Sequence, residues 1–253
     1  MTIRVAVVGA TGKLGSAATA LLDQADGFEV VARLGSRSEH AEMLGAADAP
    51  SDVVLDVTLP QVSHAIVDYA VTHGRNVVVG TSGWSADRLA TLKPLLAAHP
   101  ERGVVVIPNF SLGSALGTAF AAAASRFFDA IEIVETHGAG KVDSPSGTAV
   151  RTAELIQEAR GELGPVSAPH IDQRARGQQV GSVPIHSLRL PGVSARQEVT
   201  FGAEGETLVI RHDVISSSAY SAGILLALRA ATERTGLTVG LDALIDLGAP
   251  AER

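Results

Sequence analysis

Short β-branched runs alternate with stretches of helical spacing through the first hundred residues. Ile3 to Val8, Phe28 to Ala32, Val53 to Val57, Asn76 to Val79 and Val104 to Ile107 have the length and composition of parallel strands buried on both faces. Between them, Leu14 to Leu22, Val62 to Val71 and Ala86 to Leu96 repeat apolar residues at helical intervals. Strands alternating with helices predict βαβ units and therefore an α/β fold built on a Rossmann-like, doubly wound parallel sheet. The pattern stops near Asn109. Beyond it the expected strands are longer and alternate in polarity: Ala130 to Thr136, Ile185 to Leu190, Arg196 to Phe201 and Thr207 to Val214. Alternation suits a sheet with only one covered face, so a second domain of α+β type is expected.

A helix is predicted over Gly147 to Arg160, followed by a long loop rich in Gly, Pro and Arg before the strand at Ile185. Loops of that length in compact domains are usually functional or mobile. The stretch Ala222 to Leu247 reads as a helix plus a short terminal segment that packs back on the first domain. The expected domains are thus 1–110, completed by 219–253, and 111–218. An uncharged run between Arg102 and Arg126 has the length of a membrane span, but its Pro, Asn, Ser and Gly residues break it into a buried strand, a hinge and a small-residue helix.

Composition narrows the function classes. The 253 residues are 46% hydrophobic, ample for packed cores, and carry a net charge of −7, which argues against non-specific nucleic-acid binding. There are no cysteines, so thiol nucleophiles, thiolate zinc sites and disulfides are excluded. No metal cluster is expected. The first residues run directly into an apolar strand with no secretory pattern, and the expected location is cytoplasmic.

Candidate chemistry begins at "VVGATGKLG", where a strand meets a helix and Gly9, Gly12 and Gly15 recur at three-residue steps. Glycines there permit a tight turn and let backbone N–H groups of Thr11, Gly12, Lys13 and Leu14 approach a pyrophosphate at the helix start. The spacing is a variant of the dinucleotide fingerprint. The second strand ends with Gly35, Ser36 and Arg37 where an acid would hold the ribose hydroxyls of NAD, and Arg37 with Lys13 suits a 2′-phosphate instead. NADPH is therefore expected in preference to NADH. Thr58, in "DVTLP", and Gly80 and Thr81, in "VGTSGW", follow later parallel strands and would line the nicotinamide end.

The segment "HGAGKVDSPSGTA" brings a proton donor, a cation and a helix start within thirteen residues. A helix opening at Ser146, Gly147 and Thr148, with its N–H groups turned outward, binds carboxylates; Lys141 adds a full charge, and His137 can deliver a proton. Together they suit a small carboxylic acid that is held and protonated.

"EIVETHGAGKVDSPSGTA" resembles the signature of the 4-hydroxy-tetrahydrodipicolinate (dihydrodipicolinate) reductase family, and the likeness extends over essentially the whole chain through "GATGKLG", "DVTLP", "VGTSGW", "IPNFSLG" and "GLTVGLDALIDL". The resemblance implies a homotetrameric NAD(P)H-dependent reductase of the lysine and diaminopimelate pathway, with a dinucleotide domain and a domain for substrate binding and oligomerisation. It implies His137 as proton donor, Lys141 as its substrate-binding and proton-transfer partner, Ser146, Gly147 and Thr148 as carboxylate clamp, and Asn109 and Phe110 as cofactor-side residues near a hinge. The chain departs from the family pattern at Gly138 and Gly140, where further polar residues are usual, and at Arg196, which stands in place of a histidine and is a candidate to compensate. Two other functions remain open on these residues: a diverged homologue reducing a different cyclic imine or unsaturated acid, and an NADPH-binding protein without catalysis.

Overall fold

A computed structural model describes residues 2–245. In chain order the strands are β1 (Ile3–Val8), β2 (Phe28–Leu34), the short ribbon β3 (Gly45–Ala46) and β4 (Ala49–Pro50), β5 (Val53–Asp56), β6 (Asn76–Val79), β7 (Gly103–Val106), β8 (Ala130–His137), β9 (Gln178–Val180), β10 (Val183–Arg189), β11 (Ala195–Ala203), β12 (Glu206–Val214) and β13 (Gly236–Val239). The helices are α1 (Lys13–Leu22), α2 (Pro60–Thr72), α3 (Ala86–Ala90), α4 (Leu92–Ala98), α5 (Leu112–Ala124), α6 (Gly147–Arg160) and α7 (Ser221–Glu233). Two compact units emerge: one runs to Ser111 and resumes at Tyr220, and the other spans Leu112–Ala219.

The first unit is an α/β layer structure around a six-stranded sheet in the order β13-β7-β6-β5-β1-β2, parallel at every pairing. Val5, Ala6 and Val7, Val53 to Leu55 and Val77 to Val79 are fully buried, as strands covered by helices on both faces must be. From β1 the chain moves outward to β2 and then returns to place β5 on the other side of β1. That reversal opens a crevice at the carboxyl ends of β1 and β5, the place where sheets of this kind bind ligands.

The second unit is a mixed sheet in the order β12-β11-β8-β10-β9. Its core gathers Ile131 and Ile133 of β8, Ile185 of β10 and Val199 and Phe201 of β11 with Ala121 of α5 and Ala149, Ala153 and Ile156 of α6. Period-two alternation puts residues 131, 133, 135 and 137 of β8 on this helix-covered face. The β8–β10 register sets Arg189 opposite His137, and the β8–β11 register sets Gln197 opposite Glu135.

Several elements differ from the sequence pattern. The helix expected over Ala86 to Leu96 is two helices meeting at Thr91, and the long loop before Ile185 contains β9, which is antiparallel to β10. The stretch after α7 supplies β13, which pairs with β7; residues 246–253, including Leu247, lie outside the described residues. Among the described residues no helix is long and apolar enough to cross a membrane.

Candidate active site

The turn after β1 is shaped by glycine. Gly9 has φ +91°, and a Cβ there would lie 2.6 Å from the Val57 carbonyl oxygen, so only glycine lets this turn lie against the one after β5. Gly15 is buried, and a Cβ on it would stand 2.0 Å from the Gly9 oxygen; its role is to seat α1 on the turn. Gly12 is the N-cap of α1 and contributes no side-chain cap, which suits a helix start addressed by an anion.

Gly9 and Gly12 border a cavity of about 510 Å³ whose lining also includes Thr11, Lys13, Ser36 and Thr58. The cradle at Gly9, the uncapped helix start and the size and place of the cavity fit a dinucleotide. The other cofactor-side residues of the sequence reading do not line it. Leu14 and Gly15 lie behind it in α1, and Arg37 is exposed in the turn next to Ser36. Thr81 supports Thr58, accepting its N–H at 2.9 Å. Gly80 makes room for Phe110, whose ring carbon would be 2.4 Å from a Cβ there; Phe110 is itself buried, and the Asn109 side chain accepts the Ser111 N–H at 2.9 Å.

Sequence reasoning missed Ser38, His40, Leu59 and Val62, which also line it. Leu59 and Val62 are 60% and 44% exposed, an apolar shelf at the start of α2 rather than core. Beneath them the fully buried Asp56 carboxylate accepts from the Thr58 hydroxyl and N–H and from the Ser63 hydroxyl, while the Trp84 indole donates to Ser63 at 3.0 Å. This network pins the turns after β5 and β6.

In the second unit, β8 ends at His137. Its Nδ1 lies 2.5 Å from Oε2 of Glu135, a carboxylate with no solvent exposure. Arg189 grips that carboxylate with two parallel bonds, Nη1 to Oε2 at 2.9 Å and Nη2 to Oε1 at 2.8 Å. The Ser146 N–H donates to Oε1 at 3.2 Å. Burial pushes the Glu135 carboxyl up, but hydrogen bonds from Arg189, Ser187 and His137 outweigh it and hold the group below the usual carboxylate range. Nothing in the local sequence marks Glu135 as buried; the signal is the parity that places it on the same face as Ile131 and Ile133.

The start of α6 is already engaged. Ser146 is buried, and its hydroxyl caps the helix by accepting the Ala149 N–H at 3.3 Å. Its own N–H is spent on Glu135, so the expectation that this N–H faces a ligand does not hold. Lys141 pairs with Asp143 at 2.8 Å, and Asp143 is held below its ordinary pKa chiefly by that lysine, with the Gly147 N–H adding to the effect. An exposed carboxylate of the chain itself therefore engages the cation and helix start that the sequence reading gives to a ligand. Thr148 adjoins them at the first turn of α6.

Arg196 does not compensate at this site. Alternation in β11 turns it to the sheet face opposite His137, where it is bound to Asp213 at 2.5 Å. Gly138 accepts the Lys141 N–H at 3.1 Å in a tight turn, and a Cβ on it would approach the Val193 oxygen to 3.2 Å; around Gly140 there is open space. Among the described residues no cluster of acidic and histidine side chains is placed to hold a metal ion.

The family model for the dihydrodipicolinate reductase N-terminus matches residues 3–110, and that for the C-terminus matches residues 113–245. The chain belongs to the dihydrodipicolinate reductase family. A 4-hydroxy-tetrahydrodipicolinate reductase of Clavibacter sepedonicus is 58% identical over all of this chain and 90% of that protein. One from Streptomyces avermitilis is 47% identical over 97% of this chain and 98% of the relative. A dipicolinate-bound dihydrodipicolinate reductase structure from a Paenisporosarcina species superposes with a TM-score of 0.81 at 30% identity, covering 97% of this chain and all of that one. The family assignment thus extends across both compact units.

Proposed function

We propose that the chain is the NAD(P)H-dependent reductase that converts 4-hydroxy-tetrahydrodipicolinate to tetrahydrodipicolinate. The observation that carries this reading is the unbroken set of polar contacts in the second unit, from His137 through Glu135 to Ser146 and through Arg189 to the Asp143 carbonyl, with Lys141 on the Asp143 carboxylate. It joins a proton donor, a cation and a helix start, the three groups needed to hold and protonate a carboxylic acid.

In the first unit Gly9, Thr11, Gly12 and Lys13 would hold the pyrophosphate, Ser36 and Arg37 the 2′-phosphate and Thr58 the nicotinamide side, so NADPH is preferred over NADH. Leu14, Gly15, Gly80, Thr81, Asn109 and Phe110 shape and support that site. The bound reduced nicotinamide supplies a hydride. Lys141 and the Gly147 N–H exchange Asp143 for a substrate carboxylate, with the Thr148 N–H beside them as the rest of the clamp, Ser146 holds the helix start in place, and His137 delivers the proton. The reading includes a homotetramer, which sedimentation of the purified protein tests.

The activity is tested by following NADPH oxidation while the preceding synthase generates the substrate in the cuvette. The expected turnover lies in the ordinary range of about 1–10³ s⁻¹. Protein that binds NADPH yet fails to oxidise it with this substrate refutes the assignment in favour of a different imine or unsaturated acid. Gly138 and Gly140, which omit polar side chains near the turn, are the specific observation behind that second reading.

A further inference from the structure

We propose that Glu135 and Arg189 form a positioning unit that fixes the tautomer of His137 and, through the same carboxylate, the start of α6. The inference rests on the reading of His137 as proton donor and adds what sets its geometry.

Oε1 of Glu135 receives Arg189 Nη2 at 2.8 Å and the Ser146 N–H at 3.2 Å. Oε2 receives Arg189 Nη1 at 2.9 Å and faces His137 Nδ1 at 2.5 Å. The Ser187 hydroxyl also serves this carboxylate. Guanidinium and backbone amide are obligate donors, and an ionised carboxylate has no proton to give. The hydrogen between Glu135 and His137 therefore belongs to Nδ1, which leaves Nε2 as the nitrogen that exchanges a proton.

During turnover the Nε2–H bond of the imidazolium breaks as the new bond from hydrogen to substrate forms. The ring loses its positive charge, keeps its Nδ1–H on Glu135, and regains a proton from water at Nε2. No tautomer change intervenes between cycles. Arg189 keeps Glu135 ionised inside the fold and, with a further bond of 2.5 Å to the Asp143 carbonyl, ties the carboxylate to the loop carrying Lys141 and Asp143. One buried charge thereby orients both the proton donor and the helix start.

Glu135→Gln is the discriminating variant. The amide offers one oxygen and one NH₂. Two obligate donors converge on the Oε1 side and one on the Oε2 side, so the oxygen is retained at Oε1 and the NH₂ turns toward His137. The ring must then accept at Nδ1 and carry its hydrogen on Nε2.

The test is ¹⁵N–¹H correlation spectroscopy on histidine-labelled protein, with the His137 signal assigned by its loss in His137→Asn, combined with steady-state kinetics. Expected are a neutral Nδ1–H tautomer in the unmodified protein and an Nε2–H tautomer in Glu135→Gln. With it, kcat falls by at least about 10²-fold, the scale of general acid catalysis, while KM and NADPH affinity change little. Glu135→Asp, which keeps the carboxylate, recovers part of kcat. A neutral Nε2–H tautomer in the unmodified protein overturns the inference and requires no variant to fold. So does a folded Glu135→Gln with unchanged tautomer and kcat. An inactive unmodified protein that nevertheless shows the Nδ1–H tautomer, and switches it in Glu135→Gln, supports the positioning and removes only the assigned substrate.

Discussion

Replacing Arg189 with methionine isolates the electrostatic problem at the centre of the second unit. Glu135 has no exposure, and Arg189 supplies two of its charge-assisted bonds; without them the carboxylate keeps His137, Ser146 and Ser187 but no permanent cation. Removing one partner of a buried pair leaves an uncompensated charge and costs about 3–5 kcal/mol. That is a large part of the 5–15 kcal/mol typical of folded proteins. Burial, now less opposed, raises the Glu135 pKa above its unfolded value. A group raised in the folded state adds stability that is complete below the unfolded pKa and lost as pH rises through the folded one, so the variant's deficit should grow from pH 5 to pH 8. Trp84, the only tryptophan, lies in the first unit, so its fluorescence does not report on this site. Hydrogen exchange at the amides of β8 does, and protection at pH 8 should fall by about 10²- to 4 × 10³-fold, each factor of ten being about 1.4 kcal/mol. A loss below about 1 kcal/mol, or one indifferent to pH, refutes the claim that Arg189 neutralises a buried charge.

The other predictions concern the cofactor site and the opposite face of the second sheet. Arg37→Asp should shift preference toward NADH, read as the ratio of Kd values by fluorescence titration; an unchanged NADPH affinity counts against the 2′-phosphate role. Gly9→Ala forces a side chain into φ +91° at about 1–2 kcal/mol and drives its Cβ against the Val57 oxygen, so NADPH affinity should drop by about tenfold or more. Equal affinity would show that the turn after β1 does not cradle the dinucleotide. Asp213, lowered to about 2 by hydrogen bonds from Arg211 and then Arg196, adds stability above its unfolded pKa that disappears as pH falls through about 2. Because the site is about a third exposed, Asp213→Asn should cost below about 1 kcal/mol at pH 7 in urea unfolding, with the difference vanishing in acid.

The first unit was readable because its central strands β1, β5, β6 and β7 are largely buried on both faces, so that local pattern and tertiary environment agree. The glycine turn was readable from its spacing: Gly15 is constrained by Gly9 within the β1–α1 unit, whereas the contact that constrains Gly9 comes from Val57 in the turn after β5. β13 escaped because Gly236–Val239 is a half-exposed edge strand with Gly and Thr in place of the continuous apolar run of β5 or β7, and β9 because its pairing partner, rather than its composition, makes it a strand. Val62 reads as core from helical spacing, yet the position at the mouth of the crevice leaves it in the cavity wall. Glu135 shows the deeper limit. An acid inside a strand ordinarily marks a solvated face, and only Arg189, 54 residues away on β10, makes burial tolerable. Long-range pairing likewise explains Arg196, whose place where the family has a histidine suggests a catalytic substitute but whose parity commits it to Asp213.

The most direct test of the central claim, that His137 delivers the proton in a reductase reaction, is the turnover of His137→Ala with synthase-generated substrate. The account predicts a kcat at least about 10²-fold below that of the unmodified protein, with NADPH binding nearly unchanged because the residues proposed to hold the dinucleotide lie in the other unit. Undiminished turnover in a folded, NADPH-binding His137→Ala protein would contradict it.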